Sequence, residues 1–360
     1  RLKEVLKEED FVARLGGDEF VILIDTKSND KNEVIKNINI ISNKILTEIR
    51  KPYLLMEHNL RLTASIGIIL FQENDDLDEL MKYADTAMYN SKEKGRNRFS
   101  YFDPKLQKII EEKAYMIEKL SKAIEKNELV LHYQKQIITK NNESSIIGVE
   151  ALIRWKQGNK FIPPNSFIGI AEETGLIIPI GKWILIEAIS QIKQWEKDEE
   201  KKDWRVSINI SPKQFERNNF VELVDSLTKE HNINPNKLRL ELTENLLITN
   251  IDETLEKIKE LFDLGVTLSI DDFGTGYSSL AYLKKLPIHE LKIDQSFIKD
   301  ILIDTNDFSI VETILSIGGK FNLEVIAEGV ETKEQHEMLV SMGCSYFQGY
   351  FFAKPILFSD

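Results

Sequence analysis

From Leu129 onward the chain alternates short β-branched runs with longer stretches in which apolar residues recur every three or four positions. That alternation of strand and helix periods marks an α/β fold. The runs that read as strands are Leu129 to Gln134, Ile146 to Ile153, Arg205 to Ile210, Leu238 to Leu242, Thr267 to Ile270, Glu290 to Ile293, Glu324 to Ala327 and Ser345 to Phe347. Helices fit between most of them. Gly181 to Trp195 carries Trp183, Ile184, Ile186, Ile189, Ile192 and Trp195 at helical spacing, and Glu253 to Leu264 repeats the pattern. Eight strands with intervening helices predict a TIM-type (β/α)8 barrel. One connection departs from it. Only the polar segment Thr139 to Ser145 joins the first two strands, whereas a parallel crossover takes about a dozen residues or more. The first strand is therefore expected to run antiparallel to the second.

The chain before the barrel reads differently. Phe11 to Arg14 and Phe20 to Ile24 are β-like runs around Gly16-Gly17-Asp18-Glu19, which predicts a hairpin with a glycine turn. A helix is expected over Asn32 to Arg50, a strand over Leu60 to Ile69 and a second helix over Leu77 to Glu93. Lys105 to Ile124 carries Leu106, Ile109, Ile110, Ile117, Leu120 and Ile124 at helical spacing, as a linker helix would. The expected division is a small α/β domain over 1–103, the linker helix over 104–124 and the barrel over 125–360.

Composition narrows the setting. The 360 residues are 42% hydrophobic, enough to bury a large core in two domains. No apolar stretch reaches the roughly 18 residues that a membrane-spanning helix needs. The chain opens Arg1-Leu2-Lys3, with neither an initiator Met nor a signal peptide, and is expected to be cut from something longer. A membrane tether in a preceding region stays open. One cysteine, Cys344, and five histidines exclude a disulfide framework, argue against a Cys/His zinc site and fit a reducing cytoplasm. A net charge of -12 argues against nonspecific nucleic-acid binding. It would also repel an anionic substrate unless divalent cations neutralise the site.

The candidate chemistry stands where the apolar runs stop. Glu150, Glu241, the pair Asp271-Asp272 and Glu328 end strands, as do Asn209 and Lys292. Active residues of such barrels sit at the carboxyl ends of strands. Unpaired carboxylates converging there repel one another and resist desolvation, so their convergence calls for cations. Oxygen ligands suit Mg2+ or Mn2+.

The motifs around these residues resemble those of the EAL family of cyclic di-GMP phosphodiesterases. Glu150-Ala151-Leu152 with Arg154-Trp155 is followed, in the family's order and spacing, by Asn209-Ile210-Ser211, Glu241-Leu242-Thr243-Glu244 and Asp271-Asp272-Phe273-Gly274-Thr275-Gly276. Lys292-Ile293-Asp294, Glu328-Gly329-Val330-Glu331 and Gln348-Gly349-Tyr350 complete the set, over about 104–360. The family's fold is a modified TIM barrel with an antiparallel first strand. The N-terminal part resembles the second half of a GGDEF, or diguanylate cyclase-type, domain. Gly16-Gly17-Asp18-Glu19-Phe20, Ser65-Ile66-Gly67, Ala84 to Tyr89 and Gly95 to Arg98 carry that likeness. The earlier strand with that family's first metal-binding aspartate precedes this chain, so Gly16, Gly17, Asp18, Glu19 and Phe20 are expected to be inactive in it. Asp10 fits the family's inhibitory product site, but Lys7 stands where an arginine belongs, and lysine lacks the arginine fork.

The resemblance implies hydrolysis of cyclic di-GMP to linear pGpG with two metal ions, which in such sites lie about 3.5 to 4 Å apart. By it, Glu150, Asn209, Glu241 and Asp271 hold one Mg2+ or Mn2+, and Asp271 bridges to a second that Asp272 also binds. Lys292 would orient or deprotonate the attacking water, its pKa lowered by the cations and by burial. Glu328 would hold that water or the second ion's hydration shell, and Glu331 would brace Lys292. Arg154, Leu152 and Gln348 would contact substrate, and Glu244 would anchor the loop Asp272 to Ser279, which in the family couples the metals to a homodimer. Ca2+, which prefers looser coordination, is expected to inhibit. The alternatives are a catalytically silent cyclic di-GMP receptor, a bifunctional cyclase and phosphodiesterase that binds GTP in the longer parent, and a metal-dependent barrel acting on an enolisable acid.

Overall fold

The structure, a computed structural model, describes all residues except 27, 29, 57, 73, 74, 142, 159, 245, 247–250, 276–282, 359 and 360. Gly276 and Ser279 of the expected loop therefore lie outside the described residues. The chain divides into two compact units, Arg1–Tyr115 and Met116–Asp360. The boundary falls inside the expected linker helix, which spans Pro104–Ser121.

In the first unit β1 (Phe11–Gly16) and β2 (Glu19–Leu23) form the predicted antiparallel hairpin. Gly17 takes φ +51 in its turn, and Arg14 Nε donates to the Gly17 carbonyl at 2.9 Å. The helix Lys31–Arg50 follows, with the Asp30 side chain accepting from the Asn32 amide at its start. The expected strand Leu60 to Ile69 is corrected to two strands. β3 (Tyr53–Leu55) pairs with β4 (His58–Leu60), while β5 (Ser65–Ile68) pairs in parallel with β6 (Arg98–Tyr101). A continuous β-like run does not reveal that its two ends take different partners. The helix Leu77–Glu93 lies so close to β5 that a Cβ on Gly67 would come 2.0 Å from the Ala84 carbonyl oxygen, so only glycine fits there.

The second unit is a closed barrel. Its strands are β7 (Leu129–Lys140), β8 (Glu143–Gln157), β10 (Arg205–Ile210), β11 (Leu238–Thr243), β12 (Thr267–Phe273), β13 (Glu290–Ile293), β14 (Glu324–Ala327) and β15 (Tyr346–Phe347). Strands β8 and β10 to β15 run parallel in order, and β7 closes the ring antiparallel to both β15 and β8. That is the reversed first strand expected from the short connection, whose Asn141 takes φ +52. A short β9 (Lys160–Ile162), not foreseen, extends β8 outside the ring.

The helix Ile177–Trp195 begins four residues before its expected start, with Pro179 tolerated in its first turn. It buries Ile180, Ile184, Leu185, Ile189 and Ile192 in one core with Leu240, Leu268 and Leu291 of the strands. Each such side chain contributes about 1.5–3 kcal/mol by leaving water. The alternate positions of the same strands are polar and meet across the barrel. Near the amino ends, buried Arg239 bridges Glu290 and, at 3.0 Å, Glu324, which also pairs with Arg205. Among the described residues no helix is long and apolar enough to cross a membrane.

Candidate active site

At the mouth of the barrel the expected acids come together around one cation of the chain itself; Glu150, expected at a strand end, stands instead in the middle of β8, which runs on to Gln157 along the short β9 outside the ring. Lys292 Nζ lies 2.6 Å from Glu241 Oε2 and 2.6 Å from Glu328 Oε1, with Asp271 Oδ1 at 3.4 Å and Glu150 Oε2 at 3.5 Å. The lysine is 1% exposed. Burial opposes its charge, but Asp271, Glu150, Glu241 and Glu328 together hold its pKa well above the ordinary lysine value. The lowered pKa expected from the sequence belongs to acids already neutralised by cations; with the acids bare, the shift runs the other way.

The acids divide by their own partners. Burial, then the neighbouring Glu150, drive the Glu241 carboxyl well above the usual carboxylate range. Glu328 is driven up by burial, and Asp271 and Glu150 add to it. Glu150 is buried too, yet Lys292, Gln348 and Asn209 hold it below that range. Asn209 Nδ2 donates to Glu150 Oε1 at 2.6 Å, and Gln348 Nε2 donates to Glu150 Oε2.

Successive acids 271 and 272 require a local departure from the strand. The register of β12 against β13 slips between Ile270 and Phe273, and Asp272 takes φ +54. Such a bulge re-aims side chains, and a non-glycine residue held at positive φ stores strain that clusters at functional sites. The Asp272 carboxyl is pushed up to about 6 by burial and by Asp271 and Asp294. Glu244 Oε2 accepts from the Gly274 amide at 2.9 Å, tying the start of the expected loop to the end of β11.

Among the described residues no group of three His, Cys, Asp or Glu side chains is already arranged to hold a metal ion, and the Lys292 ammonium stands among the acids instead. The donors nevertheless fit a hard cation. Glu241 Oε1 is buried with no hydrogen-bond partner, and a buried carboxylate oxygen without a donor calls for a positive charge. Glu150, Asn209, Glu241, Asp271 and Asp272 supply oxygen ligands of the type that Mg2+ or Mn2+ takes.

Other expectations are revised by position. Glu331 is exposed and is not among the carboxylates around Lys292; its backbone amide donates to Gln335 Oε1 at 2.8 Å. Glu328 takes the bracing place, because it directly follows β14 beside Lys292. Gln348 is 4% exposed; its nitrogen donates to Glu150 and to Gln134, and its oxygen accepts from Gln136. Leu152 and Arg154 follow Glu150 at alternate positions of β8, and both are partly exposed. Arg154 Nη1 donates to the Ile153 carbonyl at 2.8 Å, which leaves most of the guanidinium fork for an anion. Gln134, Gln136 and the Arg239–Glu290 pair were not singled out from the sequence, and Asp294 figured there only as the last residue of its motif. The glutamines could have been found as polar residues alternating inside an otherwise apolar strand.

The comparisons with known proteins give the family and the fold. The family model for the EAL domain matches residues 117–355, and that for the diguanylate cyclase GGDEF domain matches 1–98. The bifunctional diguanylate cyclase/cyclic di-GMP phosphodiesterase MucR of Pseudomonas aeruginosa is 39% identical over 358 residues, 99% of this chain and 51% of that protein. The cyclic di-GMP phosphodiesterase PdeR of Escherichia coli is 36% identical over 353 residues, 98% of this chain and 52% of its own length. The chain thus spans about half the length of these curated relatives. A solved structure of the PaMucR phosphodiesterase in complex with c-di-GMP superposes with a TM-score of 0.65 at 42% identity, covering 67% of this chain and 97% of that one. With its barrel, its ordered strand-end acids and the family match over most of its length, the chain belongs to the EAL domain family.

Proposed function

We propose that the barrel hydrolyses cyclic di-GMP to linear pGpG. The observation that carries this reading is the convergence of Glu150, Glu241, Asp271 and Glu328 within 3.5 Å of one buried ammonium at the mouth of the barrel. Glu150, Asn209, Glu241, Asp271 and Asp272 would hold two divalent cations, Mg2+ or Mn2+, which when bound polarise a phosphoryl oxygen and activate water. Lys292, kept protonated by its acids, fits a donor that orients the attacking water; it becomes a base only where those acids are neutralised. Glu328 fixes the lysine from the next strand. Arg154 presents its fork to a substrate phosphate, beside Leu152, and Gln348 serves the substrate through the carboxylate that it orients. Glu244 anchors the loop after Asp272.

The same reading extends to a homodimer through the barrel, a cytoplasmic site of action and inhibition by Ca2+. It leaves Gly16, Gly17, Asp18, Glu19 and Phe20 to GTP only in the longer parent. The test incubates the chain with cyclic di-GMP and Mg2+ or Mn2+, beside Glu150→Ala and Lys292→Ala. Release of pGpG that both variants lose supports the enzyme. Tight binding without pGpG would establish a silent receptor instead.

A further inference from the structure

Gln136 is 1% exposed on β7, inside the barrel. Its cross-strand partner is Gly148, which has no side chain to obstruct it. Gln136 Nε2 donates to Gln348 Oε1 at 3.1 Å and reaches Ser207 Oγ at 3.5 Å. With its oxygen so occupied, Gln348 turns its nitrogen to Glu150 Oε2 and, at 3.2 Å, to Gln134 Oε1. Gln134 is fixed in turn, because its own nitrogen donates to the Ala353 carbonyl at 3.1 Å.

A carboxamide can present either its oxygen or its nitrogen to a neighbour, and the network around it decides which. Here a backbone acceptor sets Gln134 and a buried donor sets Gln348. We propose that Gln136 is a positioning residue that orients the Gln348 amide so that an N–H, never a carbonyl, meets Glu150, and so holds this carboxylate in place for a divalent cation. The inference rests on the metal-dependent reading above. It assigns Gln136 a task that no strand-end motif contains. Groups behind a metal ligand commonly alter affinity about 10- to 100-fold.

The test measures Mn2+ binding to the full chain directly, from the electron-spin resonance of the free ion, with pGpG release followed separately. Gln136→Met keeps the volume, removes the donor and is expected to weaken Mn2+ binding about 10-fold while circular dichroism stays unchanged. Gln136→Glu is expected to bind still more weakly, since its acceptors draw the Gln348 nitrogen away and turn a carbonyl toward Glu150. In a Gln348→Met background, Gln136→Met should change the affinity by less than about 2-fold, because its route to Glu150 is already gone. Mn2+ affinity like that of the wild type in Gln136→Met, or an equal loss in both backgrounds, overturns the proposal. A wild-type chain that neither binds Mn2+ nor releases pGpG removes the metal reading and this inference together. Wild-type binding and turnover with an unaltered Gln136→Met removes this inference alone.

Discussion

Lys292 and Glu241 form a 2.6 Å ion pair in which neither side chain is more than 1% exposed. The pair sits where divalent cations are proposed to bind, so the lysine serves as the counterion of the metal-free site. A buried charge left without its partner costs about 3–5 kcal/mol.

Lys292→Met is therefore expected to lower the melting temperature of the metal-free protein, on the order of 10 °C for a unit of this size. The acids that it leaves behind are uncompensated, so added Mg2+ should raise the variant's melting temperature more than that of the wild type. Turnover of cyclic di-GMP should be lost. Differential scanning fluorimetry with and without Mg2+ decides the point, and an equal Mg2+ effect on both proteins would contradict it.

Asp272 yields a pH dependence. Its carboxyl titrates at about 6 in the folded chain against an ordinary 3.8. The folded state then binds the extra proton, so this group's contribution to stability is complete below 3.8 and is lost as pH rises past about 6. Asp272→Asn removes the charge and keeps a residue type that tolerates the positive φ of this position. The variant is expected to gain metal-free stability over the wild type at pH 8 but little at pH 4, while losing phosphodiesterase activity. Urea titrations at both pH values check the sign.

Beneath the acids, Arg239 and Glu290 are 1% and 0% exposed and paired with each other. Arg239→Met or Glu290→Gln alone strands the partner and should cost about 3–5 kcal/mol. The double variant should cost less than the sum of the two, because neither charge then remains. Strictly additive losses in denaturant unfolding would show that the pair does not act as a unit.

How much of this could be read from the chain depended on range. Glu241, Asp271 and Lys292 stood out because each stands at or next to the end of an apolar run, and closing the ring brings strand ends together whatever the details; Glu150, inside β8, stood out as the one acid in its apolar run. The antiparallel β7 followed from one loop length. Glu331 stands outside the acids in contact with Lys292, and its spacing from Glu328 says nothing about which of two acids a turn points inward. Gln134 and Gln136 went unnoticed because their partners, Ala353 and Gln348, are more than 200 residues away along the chain. The bulge at Asp271 and Asp272 depends on pairing with β13, which no local pattern encodes. The strand proposed over Leu60 to Ile69 failed for the same reason, since β5 finds its partner in β6 and β4 finds its own in β3.

Glu244 and Gly274 offer a test of how the metal site is tied to the loop that follows it. Glu244 Oε2 accepts from the Gly274 amide at 2.9 Å, and Glu244 is 2% exposed. Gly274 takes φ +102, and a Cβ there would come 3.1 Å from Phe297 and 3.2 Å from Ile314, so the backbone at this point has little choice but glycine. A charged acceptor on a backbone amide contributes about 1.5–3 kcal/mol. Glu244→Gln keeps a carbonyl acceptor at the same reach and is expected to retain most of the turnover. Glu244→Ala takes the acceptor from the Gly274 amide and frees the chain two residues beyond Asp272, so turnover should fall about 10-fold or more. Both variants should keep the barrel's circular dichroism, because the contact lies at the mouth and not in the apolar core. If Glu244→Ala and Glu244→Gln lose activity equally, the charge of Glu244 matters and its anchoring of Gly274 does not. If only the alanine variant fails, the acceptor is what holds Asp272 in place.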